Sequence, residues 1–385
     1  MNDWRIPLSR PDIDASDRAA VLRVLDTPWL SLGPENDALE SEFSEFFGGL
    51  PVATVANGTA GLFLALRALG FRGGQVLTPS FGFIGTAHAI RLAGGEPRFV
   101  EVSPETLCVT PETLDEAYTP ECRAVLPVDV FGTPLAMENV AAWARDRGLL
   151  LVEDACEALG ARRSGQRVGT MAPASVFAFY PNKQMTTGEG GLVVCQDPNV
   201  AGQIRSRRNQ GRGPGEFQFV GEGFNFRLTE MQAGLGRSQL RRLPSFLEQR
   251  RRVATDYNER LAEVPGLAVL PAVPAGDERS WFVFVVFVEQ PEWRARARAA
   301  LAERGIQTAP YFPAIHDLGG YRDPGLRGSP LRFTSEVSSR SFAIPFHNRL
   351  EVSEIDEVCE TLATALRGLG GTHGFSLQTL PALTS

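Results

Sequence analysis

Short β-branched runs alternate with stretches of helical spacing, and this alternation constrains the fold most. Val52-Ala53-Thr54-Val55 reads as a strand, and Thr59 to Leu69 as a helix with Asn57 as cap and Gly70 as stop. Gln75 to Thr78 is strand-like, and Gly82 to Ala93 is helical up to Gly94-Gly95. Arg98 to Val102, Ala124 to Val128 and Leu149 to Glu153 read as further strands, with a helix over Met137 to Arg147. Strands separated by helices predict an α/β fold, a mostly parallel sheet covered on both faces.

The pattern changes after Asn225. Thr229 to about Ala262 reads as one long helix, with a kink or break expected at Pro244. An apolar strand (Trp281 to Val286), a charged helix (Glu292 to Arg304) and a last helix (Val352 to Leu369) follow. We expect a large domain over residues 1–245, a smaller α+β domain over 246–371, and a poorly ordered tail over 372–385.

Composition removes several function classes. With 38 Lys and Arg against 45 Asp and Glu, the net charge is −7, so no general attraction to nucleic acid or acidic membranes is expected. The basic run Arg205, Arg207, Arg208 and Arg212 reads as a solvated helix face. Five widely spaced cysteines fit reduced, buried thiols and a cytoplasmic protein. No segment has the length and apolarity of a membrane span or of a signal-peptide core.

Four segments carry candidate chemistry. Asn57-Gly58-Thr59-Ala60 lies between a strand and a helix, where backbone N–H groups bind anions and also form an ordinary cap. Asp154 ends an apolar strand, where a carboxylate can pair with a protonated pyridine nitrogen or cap a helix. A magnesium site is a rival use of two adjacent carboxylates, weakened because Glu153 alternates to the other strand face. Lys183 follows Phe177, Phe179 and Tyr180 and precedes Gly188, Gly190 and Gly191, an apolar setting that suits an amine reaching a buried electrophile. Phe81 and Phe83, after the strand at Gln75, are aromatic rings able to stack on a cofactor, or core residues.

In this order the segments resemble the DegT/DnrJ/EryC1/StrS family, sugar aminotransferases of fold-type I that use pyridoxal phosphate (PLP). The resemblance spans about Ile6 to Leu369. It includes Trp29 to Pro34, Asn57 to Ala60, Thr78 to Phe83, Glu153-Asp154-Ala155, Tyr180 to Gly191, Gly223 to Ala233, and Ala343 to His347. It implies that Lys183 bonds the cofactor covalently and moves the substrate's proton. It assigns the pyridine nitrogen to Asp154, the phosphate to the Gly58 and Thr59 amides, and ring stacking to Phe83. Asn225 would reach the neighbouring subunit's cofactor, making a homodimer with shared sites. Arg227 would contact phosphate or the amino donor's carboxylate. Two positions depart from the commoner pattern. Ala178 replaces a serine, so a phosphate bond is missing or comes from Ser175 or Tyr180. Glu157 replaces Gln or His beside the cofactor's phenolic oxygen, and a carboxylate there must be protonated or turned away.

The resemblance implies amino transfer from L-glutamate to a nucleotide-linked keto sugar, of the 4-keto-6-deoxyhexose type or a 3-keto sugar, through pyridoxamine phosphate. Lys183 argues for transamination, because relatives that dehydrate sugars carry histidine there. The alternatives are amination of a carbocyclic ketone of aminocyclitol type and a PLP-binding regulator without turnover.

Overall fold

The computed structural model describes residues 4–380 except Glu216. The chain runs α1 (Ala15–Leu25), α2 (Pro34–Phe46), β1 (Val52–Val55), α3 (Gly58–Ala68), β2 (Gly74–Pro79), α4 (Gly85–Leu92), β3 (Gly95–Val100), α5 (Pro111–Ala117) and β4 (Cys122–Val125). It continues through α6 (Met137–Asp146), β5 (Leu150–Asp154), a small ribbon of β6 (Arg162–Arg163) and β7 (Gln166–Arg167), β8 (Ala174–Ala178) and β9 (Gly191–Cys195). Then come α7 (Pro198–Arg208), α8 (Glu230–Leu261), β10 (Leu267–Val269), β11 (Phe284–Val288), α9 (Trp293–Glu303), α10 (Arg332–Arg340), β12 (Ser341–Ile344) and α11 (Val352–Leu366).

The main sheet has the order β1-β9-β8-β5-β4-β2-β3, and β9 alone runs antiparallel to its neighbours. Side-chain alternation gives the sheet two apolar faces. Val76, Ala124, Val152, Val176 and Val193 pack under α3, α4 and α7. Leu77, Val125 and Leu151 pack toward α5 and α6, and Phe177, Leu192 and Val194 toward α2 and α8. The second sheet, β10-β11-β12, is antiparallel. One of its faces is buried with α8, α9 and α11, and the other joins the core of the main sheet.

Several expectations meet a different outcome. Helix α8 is continuous across Pro244, which is exposed, so water can satisfy the carbonyl left without an N–H donor. The helix expected from Gly82 begins only at Gly85. The basic run is a solvated face only in part, since Arg205 and Arg212 are exposed and Arg208 is not. Arg208 is buried and donates to Glu40 and Thr54, and Arg205 donates to Glu40 and the Val52 carbonyl. Residues 372–380 of the expected loose tail pack inward, burying Phe375, Leu377 and Leu380, while 381–385 lie outside the described residues. Among the described residues no helix is long and apolar enough to cross a membrane. The five cysteines are free thiols, four of them buried.

Candidate active site

A cavity of about 660 Å3 opens at the carboxyl ends of β1, β2, β5 and β8. In open α/β sheets this is where chain segments leave the sheet and ligand groups collect. Strand β1 delivers Asn57, whose Oδ1 caps α3 by accepting from Ala60 N at 2.9 Å. Among the described residues, no protein acceptor takes the Gly58 or Thr59 N–H, so both remain available at the positive end of α3. Gly58 is required by space. A methyl group there would lie 2.7 Å from Cys156 Sγ and 3.0 Å from Ala178 Cβ.

Asp154 ends β5 with its carboxylate in the cavity. Thr86 Oγ1 donates to Oδ2 at 2.6 Å, and Cys156 N donates to Oδ1 at 3.2 Å. Glu153 takes the opposite face, as alternation requires, and accepts from Ser175 Oγ. Burial pushes the Glu153 carboxyl up to about 7, and it raises its neighbour Asp129 well above the carboxylate range. Ser175 therefore lies outside the cavity, whereas Ala178, three residues on, lines it. The suggestion that Ser175 supplies the missing hydroxyl fails on strand parity.

Lys183 closes a turn in which its N–H donates to the Tyr180 carbonyl at 2.9 Å. Its side chain is only 12 % exposed. The Nζ lies 3.6 Å from Glu157 Oε1 on one side and 3.7 Å from the centre of the Phe282 ring on the other. Glu157 is not turned away. Its Oε2 accepts from Phe131 N at 2.8 Å, which aims the other oxygen at Lys183. Burial pushes the Glu157 carboxyl up, against the opposing pull of the Lys183 ammonium.

The remaining candidates divide. Phe83 is 60 % exposed and stands at the cavity wall, while Phe81 is fully buried core. Tyr180 lines the cavity. Asn225 is exposed and does not line its own chain's cavity, and Arg227 donates to Asn209 Oδ1 at 3.2 Å outside it. Thr86, Phe282, Tyr311 and Phe312 also line the cavity, and the sequence carried no motif that singled them out. Phe282 lies within the apolar run at Trp281, where an aromatic reads as core.

A model described as the DegT/DnrJ/EryC1/StrS aminotransferase family matches residues 11–363. The chain belongs to this family. It is a PLP-dependent aminotransferase. Among solved structures, the aminotransferase TlmJ from Streptoalloteichus hindustanus is 30% identical with a TM-score of 0.88, over 94% of this chain and 99% of that one. DesV from S. venezuelae, determined in complex with a ketimine intermediate, is 32% identical with a TM-score of 0.87, over 94% and 99%. DesI, determined in the presence of its TDP-sugar product, is 30% identical with a TM-score of 0.87, over 95% and 94%. The cavity's residues fit PLP. Two unclaimed N–H groups suit its phosphate, a Thr86-braced carboxylate suits its pyridine nitrogen, and an enclosed lysine suits its aldehyde.

Proposed function

We propose that this aminotransferase moves an amino group from L-glutamate to a keto sugar carried on a nucleotide, of the 4-keto-6-deoxyhexose or 3-keto type. One observation carries the cofactor half of this reading: Lys183 Nζ, the Asp154 carboxylate and the α3 N-terminus line one cavity. The sugar half is supported by family membership and by DesI, whose structure was determined with its TDP-sugar product. The volume is within the range of small-molecule sites.

PLP, when bound, supplies an electron sink for the carbanion at the amino-bearing carbon. Lys183 would anchor it covalently and, once released, would take the proton from the donor's carbon and return one to the acceptor's. Asp154, braced by Thr86, would keep the pyridine nitrogen protonated. Gly58 and Thr59 would hold the phosphate through their amides, and Phe83 would cover the ring.

Among the described residues, Lys183 is the sole Lys or Arg lining the cavity. Glutamate brings two carboxylates and a nucleotide brings phosphates, so further cationic donors must come from outside this lining. Asn225, exposed and outside its own chain's cavity lining, fits the phosphate of a partner subunit's cofactor, with Arg227 nearby in the chain for phosphate or carboxylate. Exposed Trp29, Leu30, Phe217, Phe219 and Val220 suit coverage by a second copy. The proposed unit is a cytoplasmic homodimer with shared sites. Conversion of glutamate to 2-oxoglutarate, screened across nucleotide-linked keto sugars and free carbocyclic ketones, tests the function. Turnover confined to the carbocyclic ketones would refute it.

A further inference from the structure

Arg250 is buried at the middle of α8, and among the described residues every hydrogen-bond partner it has is a neutral carbonyl. Its Nη1 donates to the Trp281 and Phe282 carbonyls at 3.0 and 3.1 Å, and its Nη2 donates to the Lys183 carbonyl at 2.9 Å. The Phe346 ring lies 5.5 Å from its Cζ. Burial pulls the guanidinium down to about 10, a measure of what enclosure costs this charge. An unpaired buried cation is unfavourable, and an apolar side chain would pack a helix here at lower cost. What guanidinium alone supplies is a planar fork that holds several acceptors in fixed directions.

Those acceptors belong to the two segments that meet at Lys183. One is the turn carrying the lysine itself. The other carries Phe282, whose ring lies 3.7 Å from Nζ. Gln184 adds a second tie, donating through Nε2 to the Glu157 carbonyl at 2.6 Å and to Ser280 Oγ at 2.8 Å. The lysine turn, the Glu157 segment and the 280–282 segment are thus fastened together.

We propose that Arg250 is a positioning residue for Lys183, locking its main chain to the 281–282 segment so that Nζ stays between the Glu157 carboxylate and the Phe282 ring. This rests on Lys183 being the cofactor's anchor. An amine that must attack an aldehyde and then move a proton tolerates displacement poorly, and about 1 Å of misplacement costs on the order of a hundredfold in rate.

The experiment compares Arg250→Met, Arg250→Lys and the exposed control Arg251→Met with wild type, as full-length protein. Cofactor-free protein is mixed with PLP, uptake is followed by visible absorption, and borohydride trapping on the Lys183 peptide is read by mass spectrometry. Arg250→Met is expected to take up PLP at least about tenfold more slowly and to lose at least about tenfold in kcat, with KM for glutamate within about twofold. Arg250→Lys should fall between, and Arg251→Met should match wild type. Amide exchange over residues 180–187 of the cofactor-free protein should quicken most in Arg250→Met, less in Arg250→Lys and not in Arg251→Met. A folded Arg250→Met protein with wild-type uptake, spectrum and kcat, changed only in melting temperature, overturns the proposal. If Arg250→Met does not fold, wild-type uptake and kcat in Arg250→Lys overturn it. Failure of wild type itself to trap PLP on Lys183 overturns the anchor assignment instead.

Discussion

Replacing Gly58 by alanine should weaken PLP binding without unfolding the protein. The added methyl would stand 2.7 Å from Cys156 Sγ and 3.0 Å from Ala178 Cβ. Carbon atoms rest at about 3.5–4.0 Å, so the first turn of α3 must move outward by roughly 0.5–1 Å. Such a shift carries the Gly58 and Thr59 amides out of the narrow range of good N–H···O distances to a fixed phosphate. A hydrogen bond to a charged group contributes about 1.5–3 kcal/mol, so losing one weakens binding about 10- to 140-fold. Cofactor-free protein titrated with PLP, read by visible absorption, gives the dissociation constant, and thermal unfolding of the same sample checks the fold. Cys156→Ala added to Gly58→Ala removes the nearest obstacle and should restore part of the loss, leaving the Ala178 contact. Wild-type affinity in Gly58→Ala would refute the reasoning. So would a double variant no better than the single one, provided Cys156→Ala alone binds normally.

Lys183→Ala should leave the protein folded and abolish borohydride trapping of PLP, and retained trapping would remove Lys183 from its assigned role. Mixing Lys183→Ala with Asn225→Ala subunits should restore activity in heterodimers, which assemble one intact site from the two chains; no recovery in demonstrated heterodimers would count against a shared site. Glu40→Gln should destabilise the fold by about 3–5 kcal/mol near neutral pH, because Arg208 stays buried without its carboxylate. Burial alone would raise the Glu40 carboxyl, but Arg208 and Arg205 hold it below the ordinary 4.5. Its contribution is therefore full above about pH 4.5 and is lost as pH falls through the lowered value. Melting curves of wild type and Glu40→Gln should converge in acid, and a constant gap down to acid denaturation would refute this.

Period and punctuation made much of the large sheet legible in the sequence. Val52 to Val55 matches β1 residue for residue, and Asn57 caps α3 as a polar residue before an apolar run should. Lys183, Asp154 and Gly58, which all line the cavity, were legible as candidates because each stands where an apolar strand gives way to a polar or glycine-containing turn. Phe282 and Arg250 were illegible for the opposite reason. An aromatic in an apolar run and an arginine in a charged helix look ordinary, and their roles arise from tertiary contact with a lysine far away in the chain. Arg208 was misassigned on the same ground: clustered arginines look solvated until Glu40, from another helix, is brought beneath one of them. Pro244 misled because its cost depends on exposure, which no local pattern carries.

The two departures from the commoner family pattern have different consequences. At position 178 a hydroxyl is absent and Ser175 cannot replace it, so a bound phosphate would rely on the α3 amides and on groups beyond this cavity's β8 wall. At position 157 a charge is added. Phe131 N–H fixes Oε2, so the carboxyl stays in the cavity beside Lys183. With PLP held on Lys183 as proposed, the cofactor's phenolic oxygen would bring a second negative group beside that carboxylate. Burial already raises the Glu157 carboxyl above its ordinary 4.5, so the protonated form is the one that can coexist with the cofactor. The sign follows. Glu157 favours the loaded state at pH below its raised value and opposes it as pH climbs through that value. Glu157→Gln keeps an acceptor for Phe131 N–H and never ionises. Its PLP affinity should therefore hold steady where wild-type affinity declines with rising pH. Parallel affinity profiles for the two proteins across pH 5 to 9 would show that Glu157 does not ionise against the cofactor.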